Sequence, residues 1–245
     1  VRRRVLKYKR TIMMKGILLP VMICSMFLLI IILLPFRGKE SVLGEKPKDA
    51  VKLPEPRYSS KKSIEEALHE RRSMRDYKNR PMMLSEISQF LWAAQGITDP
   101  RGFRTAPSAG ALYPLEVYVV AGNVHGLPEG VYKYKSQGHE LIRIAKGDRR
   151  GELSAAALGQ PWVKDGAAVI VFSAVYERTT QKYGERGIRY VHIEAGHAAQ
   201  NVYLQAVSLH LGTVVIGAFD DKVVKSIMNM TPKEEPLVIM PVGKL

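Results

Sequence analysis

A single cysteine, Cys24, stands among 245 residues, so one chain can build neither a disulfide framework nor a thiolate zinc site. The strings G-x-G-x-x-G and G-x-x-x-x-G-K-[ST] are absent, which leaves dinucleotide-binding and P-loop readings without support. Pro107-Ser108-Ala109-Gly110 is not a G-x-S-x-G nucleophile elbow, because Ala106 stands two residues before the serine. Ser59-x-x-Lys62 has the S-x-x-K spacing, but no S-D-N or K-T-G follows it. Acidic residues are missing from positions 1–37, which hold eight arginines and lysines. Taking those eight from the total of 37 leaves 29 basic against 23 acidic residues, or +6 of the overall +14. The basic charge is therefore concentrated at the N-terminus, and no nucleic-acid partner is expected.

What is present begins with an uncharged, Leu- and Ile-rich stretch from Gly16 to Phe36. As a helix it would be about 30 Å long, the thickness of a hydrocarbon core. Seven basic residues precede it, which predicts a single-pass anchor in the cell membrane with a cytoplasmic tail at 1–15. The domain that follows would then be extracytoplasmic. The apolar run exceeds a signal-peptide h-region, and no small-x-small cleavage site follows. Residues 37–62, with scattered Gly, Pro, Lys and Glu and no apolar period, are expected to form a linker. Residues 63–245 are one domain's worth of chain.

Within that domain Ser63-Ile-Glu-Glu66 is a capping box that predicts a helix to about Arg71. Ile87, Phe90, Leu91 and Ala94 predict a second helix from Ser85 to near Gly96. Residues 116–121 and the wholly apolar 167–176 read as strands, and 131–135 with 141–145 as a hairpin. A short helix is expected over 148–158, and the longest over 187–211, where Ala195, Gly196, Ala198, Ala199 and Ala206 allow close helix approach. Strands at 213–216 and 237–242, with a helix at 220–228 between them, complete an α+β pattern without strict βαβ alternation.

His192 and His197 sit five apart, roughly 140° around a helix, and cannot share one ion as an i, i+4 pair can; no metal site is expected. Arg71-Arg72-Ser73-Met74-Arg75 is better placed for chemistry, since three guanidiniums and a hydroxyl suit a phosphate. Thr105–Pro114 is a run of small residues leading into a strand, where a flat ligand could approach the backbone. Val214–Asp221 offers a second strand end with accessible N–H groups.

Five strings in order, RRSMRDY, PSAGALYPLEVYVV, KYGERGIRYVHIEAGHAAQN, IGAFDD and PLVIMPVG, resemble the nitroreductase superfamily of FMN enzymes. The resemblance is greatest to its SagB-type branch, the thiazoline/oxazoline dehydrogenases, and covers about 63–245. It implies a nitroreductase-like α+β fold, a mixed, mainly antiparallel sheet flanked by helices. It also implies an FMN cofactor and a homodimer packed on the long helix. By match, Arg71 and Ser73, with Arg72 beside them, would hold the FMN phosphate and ribityl chain. Arg75 would lie near N1/O2 of the isoalloxazine. Pro107, Ser108, Ala109 and Gly110 would lie along the flavin, commonly from the partner subunit. Gly217 and Ala218 would sit beside N5, and Lys244 near the phosphate. Lys182 and Tyr183 would be catalytic, removing a proton as hydride leaves a small-molecule or peptide substrate. The same resemblance leaves open quinone or nitroaromatic reduction, or a flavin-binding module without turnover.

Overall fold

The computed structural model describes residues 49–245. In chain order these form β1 (Ala50–Lys52), α1 (Ile64–Glu70), β2 (Met82–Met83), α2 (Leu84–Gln95) and β3 (Leu115–Ala121). There follow β4 (Val124–His125), β5 (Gly130–Lys135), β6 (Glu140–Lys146), α3 (Arg150–Ala156), α4 (Pro161–Asp165) and β7 (Ala168–Val175). The chain closes with α5 (Glu177–Tyr183), α6 (Arg186–Ser208), β8 (Leu211–Thr213), α7 (Asp221–Ile227) and β9 (Glu234–Lys244). The expected anchor at 16–36 and tail at 1–15 lie outside the described residues. Among the described residues no helix is long and apolar enough to cross a membrane.

Seven strands make one sheet in the order β1-β6-β5-β3-β7-β9-β8, and every neighbouring pair is antiparallel. The expected mixture of directions is confined to a separate parallel pair, β2 with β4. β3 and β7 are central and almost wholly buried. Alternate residues of β7 feed two cores, Ile170 and Phe172 on the face covered by α2 and α6, Val169 and Val171 on the face covered by α3 and α7. Each such side chain contributes about 1.5–3 kcal/mol by leaving water, so the middle of the sheet is the rigid frame on which the rest is mounted. Capping is as the sequence suggests: the Ser63 hydroxyl accepts from Glu66 N–H at 3.1 Å, and the Glu66 carboxylate accepts from Ser63 N–H at 2.8 Å.

Four expectations are corrected. The linker does not run to residue 62, because Ala50–Lys52 pairs in register with Glu140–Ile142 as the edge strand β1. The strand expected over 213–216 ends at Thr213, since Val215 N–H is taken by the Tyr203 hydroxyl at 2.8 Å and only Ile216 rejoins the ladder, opposite Ile239. The long helix stops at Ser208, before His210 adopts φ +55°. Of the small residues along it, Ala195, Ala198, Ala199 and Ala206 pack into the chain's own core, and only Gly196 faces outward. Two short helices had no counterpart in the sequence reading. Pro161 at the start of α4 was a usable signal. α5 has no side-chain N-cap and carries adjacent β-branched Thr179 and Thr180.

The register sets where loops emerge. Leu115 opposes Ala174, so the segment before β3 and the helix after β7 leave the sheet at the same end. Thr213 opposes Val242, which opposes Ala168, at the other end. Six residues of strand, about 20 Å, separate the two levels.

Candidate functional site

The segment after α1 runs along the β8 end of the sheet. Met74 N–H donates to Thr213 O at 2.9 Å and Lys78 N–H to Lys244 O at 2.9 Å. The Tyr77 hydroxyl donates to Met74 O at 2.7 Å, which closes the turn. This fixes the backbone and leaves the arginine heads largely uncommitted. Arg72 folds back onto the carbonyls of His69 and Arg71 at 2.9 and 2.7 Å. Arg71 lies over the Tyr203 ring at 5.1 Å and Arg75 over the Trp162 ring at 5.4 Å. No carboxylate among the described residues pairs with any of the three. Three guanidiniums within five residues without an acid form a donor set that fits a phosphate. Ser73 shares a 2.9 Å hydrogen bond with the Tyr203 hydroxyl, which also accepts the Val215 N–H at 2.8 Å. Tyr203, which the sequence reading did not single out, therefore ties the arginine segment to the strand end carrying Gly217 and Ala218. Both of those residues are exposed, and a Cβ on Gly217 would meet nothing within 4 Å. Lys244 lies opposite Leu211, at the far end of β8 from Gly217, with its ammonium 2.6 Å from Glu86 Oε1. Its charge is already engaged, unlike those of the arginines.

A second group gathers at the opposite end. Gly110 has φ +63°, Ala111 +53° and Tyr113 +46°, three left-handed residues in four positions. A Cβ on Gly110 would stand 2.8 Å from the Tyr183 hydroxyl and 3.0 Å from Lys182 Nζ. The left-handed φ favours glycine, and a Cβ there would displace the ends of both side chains. The Lys182 ammonium lies 5.3 Å from the Tyr183 ring centre, and Tyr183 packs edge-on against Tyr190 at 5.2 Å. α5 is pressed onto α6 where Gly187 would bring a Cβ to 2.9 Å from Thr180 Cα. Arg178 on α5 donates to Tyr113 O at 3.1 Å and pairs with Glu116, which binds helix and turn together. Gly110 is exposed, and the two proton-bearing groups stand beside it.

Behind this turn lies Glu194, 2% exposed, with its Oε1 buried and unpartnered. Burial raises its carboxyl to about 7, with the Ser108 hydroxyl and the Arg104 charge drawing it part of the way back. The sequence signal was available: Val191, Ala195 and Ala198 place Glu194 on the flank of the helix's buried stripe. His192 hydrogen-bonds Tyr176 at 2.6 Å, and among the described residues no metal-binding cluster exists.

The two groups lie on opposite flanks of α6. Tyr203 and Glu194 are nine residues apart on α6, about 13 Å along the axis and on opposite sides of it. Thus Arg71, Ser73 and the Gly217 strand end belong to one half-site, while Ser108, Gly110, Lys182 and Tyr183 belong to another.

Residues 68–244 match the nitroreductase family. A Methanocaldococcus jannaschii protein named "Putative nitroreductase MJ1384" is 51% identical over 181 residues, 74% of this chain and 90% of that one. A crystal structure from Ralstonia eutropha JMP134 with the same description superposes with a TM-score of 0.71 at 30% identity, covering 80% of this chain and 90% of the other. The Escherichia coli microcin B17-processing protein McbC is 28% identical over 170 residues, 64% of this chain and 61% of McbC.

Proposed function

The chain belongs to the nitroreductase family, and from that premise we propose that it is an FMN-dependent oxidoreductase whose site is completed between two copies. When bound, FMN supplies a two-electron hydride donor or acceptor at N5. The arginine half-site holds the anionic end: Arg71 and Arg72 neutralise phosphate, Ser73 offers a hydroxyl and Arg75 a positive charge for the N1–C2=O edge. A guanidinium fixed there favours the charge that accumulates on reduction. The N–H groups of Gly217 and Ala218 are the donors for N5. The turn half-site of the other copy covers the ring with the Pro107–Gly110 backbone. Because the two groups lie on opposite flanks of α6, a homodimer related by a two-fold axis would form two such sites.

The observation that carries the finer reading is the approach of Lys182 Nζ and the Tyr183 hydroxyl to Gly110. A base facing the flavin-covering turn has no use in phosphate binding. It does have one in dehydrogenation, where a proton and a hydride leave adjacent carbons of an azoline. Lys182 and Tyr183 would take that proton while the turn keeps the substrate carbon over the ring. The McbC likeness supports this dehydrogenase reading. The 51%-identical nitroreductase relative supports the opposite direction, reduction of a nitroaromatic or quinone at the same site. Full-length protein incubated with FMN is expected to retain the yellow cofactor through gel filtration and to bleach with dithionite. Azole formation from an azoline-bearing peptide, against nitroaromatic reduction by the reduced protein, then separates the two directions. Protein that remains colourless at millimolar FMN contradicts the proposal.

A further inference from the structure

A cavity of ≈ 260 Å³ lies between the start of β3, the end of β5 and the loop that carries Arg104. Leu115, Val117 and Tyr134, each at most 5% exposed, give it apolar walls. Gln95, the last residue of α2, borders it as well and is 1% exposed. Its Oε1 accepts from Arg104 Nη1 at 2.9 Å. A guanidinium can only donate, so this bond fixes the carboxamide with its oxygen toward Arg104 and its nitrogen turned away. Gln95 Nε2 and Arg104 Nε are then two buried donors without a partner, on side chains that share one cavity. Buried donors lacking an acceptor are costly and uncommon. Charge points the same way. Glu116, which also borders the cavity, is held by Arg178 and by Lys133 at 3.2 Å. Neither Glu116 nor the buried Glu194 forms an ion pair with Arg104, and among the described residues no carboxylate pairs with Lys135, which is exposed beside the cavity. Burial pulls the Arg104 guanidinium below the usual arginine range, a cost that an anion beside it offsets.

We propose that this cavity binds the carboxylate of a small organic acid, with Gln95 Nε2 and Arg104 Nε donating to its oxygens and Leu115, Val117 and Tyr134 enclosing its apolar body. A carboxylate has two oxygens to satisfy and finds donors for both; a phosphate would press further oxygens against the apolar walls. Size sets the class of acid. An apolar cavity of about 150 Å³ holds benzene, so this one admits a ring together with its carboxylate. The site does not rest on the flavin reading. It does bear on the turn before β3, since Arg104 lies 4.5 Å over the Tyr113 ring and Arg178 donates to Tyr113 O. An acid that holds Arg104 in place therefore steadies the segment that faces Lys182 and Tyr183.

Calorimetric titration of the full-length protein with benzoate tests the site, with benzamide as the neutral isostere. Benzoate is expected to bind with one site per chain, and benzamide about tenfold or more weakly, because it forgoes the charge-assisted bonds. Gln95→Glu keeps the shape of the side chain but pairs with Arg104. It should weaken benzoate about 10–150-fold, the loss of one charge-assisted bond, and change benzamide far less. Ser136→Trp, at a half-buried position bordering the cavity, leaves both donors in place and should weaken the two ligands alike by obstruction. It keeps the test open should the first variant fail to fold. A dipeptide ending in phenylalanine, as free acid and as amide, tells the two sources of such a carboxylate apart. If the free-acid dipeptide binds more tightly than benzoate, the natural ligand is a peptide terminus; if more weakly, it is a free acid. Equal affinity of the wild type for benzoate and benzamide overturns the proposal, as does benzoate binding by Gln95→Glu at wild-type strength or no benzoate binding at all. Benzoate binding by a protein that never takes up FMN overturns the flavin reading and leaves this site in place.

Discussion

The two half-sites solve opposite problems. At the β8 end, Arg71, Arg72 and Arg75 are held by backbone pairing of their segment, and their heads are left to rings and carbonyls. At the other end the backbone itself is strained, and side chains from three elements converge to hold it. The first arrangement leaves three guanidiniums without a carboxylate partner among the described residues. The second spends internal interactions to fix a surface. The lesson is that one region is fixed through its backbone and the other through its side chains, and a surface proposed to meet reacting atoms gains from being set in advance.

If that contrast is right, each half fails in its own way. The largest effect is expected in the turn half. Lys182→Ala or Tyr183→Phe should lower azole formation about 10²–10⁴-fold while FMN remains bound, the range for loss of a general base. Unchanged turnover on an azoline peptide would remove both residues from catalysis. In the arginine half, Arg71→Ala should weaken FMN about 10–150-fold, the loss of one charge-assisted bond, and leave riboflavin, which lacks the phosphate, unaffected. Equal loss for both flavins would place Arg71 elsewhere than on the phosphate.

A third contrast is in stability. Glu194 moves from an ordinary 4.5 to about 7 on folding, chiefly through burial. Between those pH values the folded chain keeps a proton that the unfolded chain has lost. Its contribution is fully present below pH 4.5 and is lost as pH rises through 7, by about 3 kcal/mol. Glu194→Gln should flatten that decline in urea unfolding measured from pH 5 to 8; a parallel decline in both proteins would refute it. Arg71→Ala should leave the slope as it is. The smallest expected effect is Gly110→Ala. Its left-handed φ and the 2.8 Å approach of Tyr183 should cost about 1–2 kcal/mol, read as roughly tenfold in turnover with little change in FMN affinity.

Much of this frame was legible in the residues. The capping box at Ser63, the apolar run of β7 and the small-residue stripe of α6 each have a local cause, so pattern alone located them. The arginine cluster and the Pro107–Gly110 segment were legible as strings. What was not legible depends on register. That Leu115 opposes Ala174 brings Gly110 to Lys182, and no spacing within the sequence encodes it. Edge strand β1 was missed because three residues paired on one side carry almost no periodic signal. Glu194 was passed over because an acid in a helix usually reads as solvent-facing, and only its apolar neighbours at i−3, i+1 and i+4 say otherwise. The small residues of α6 do admit a second helix, but most of them face the core shared with the chain's own α2.

The central claim is that the arginine half of one copy works with the turn half of another. Arg71→Ala and Lys182→Ala homodimers, each inactive at limiting FMN, can be mixed under conditions that exchange subunits. If the halves come from different chains, every hybrid dimer has one site carrying both changes and one carrying neither. Random exchange then restores about a quarter of wild-type activity. If both halves of a site come from the same chain, each site keeps one defect and the mixture stays as inactive as its parents.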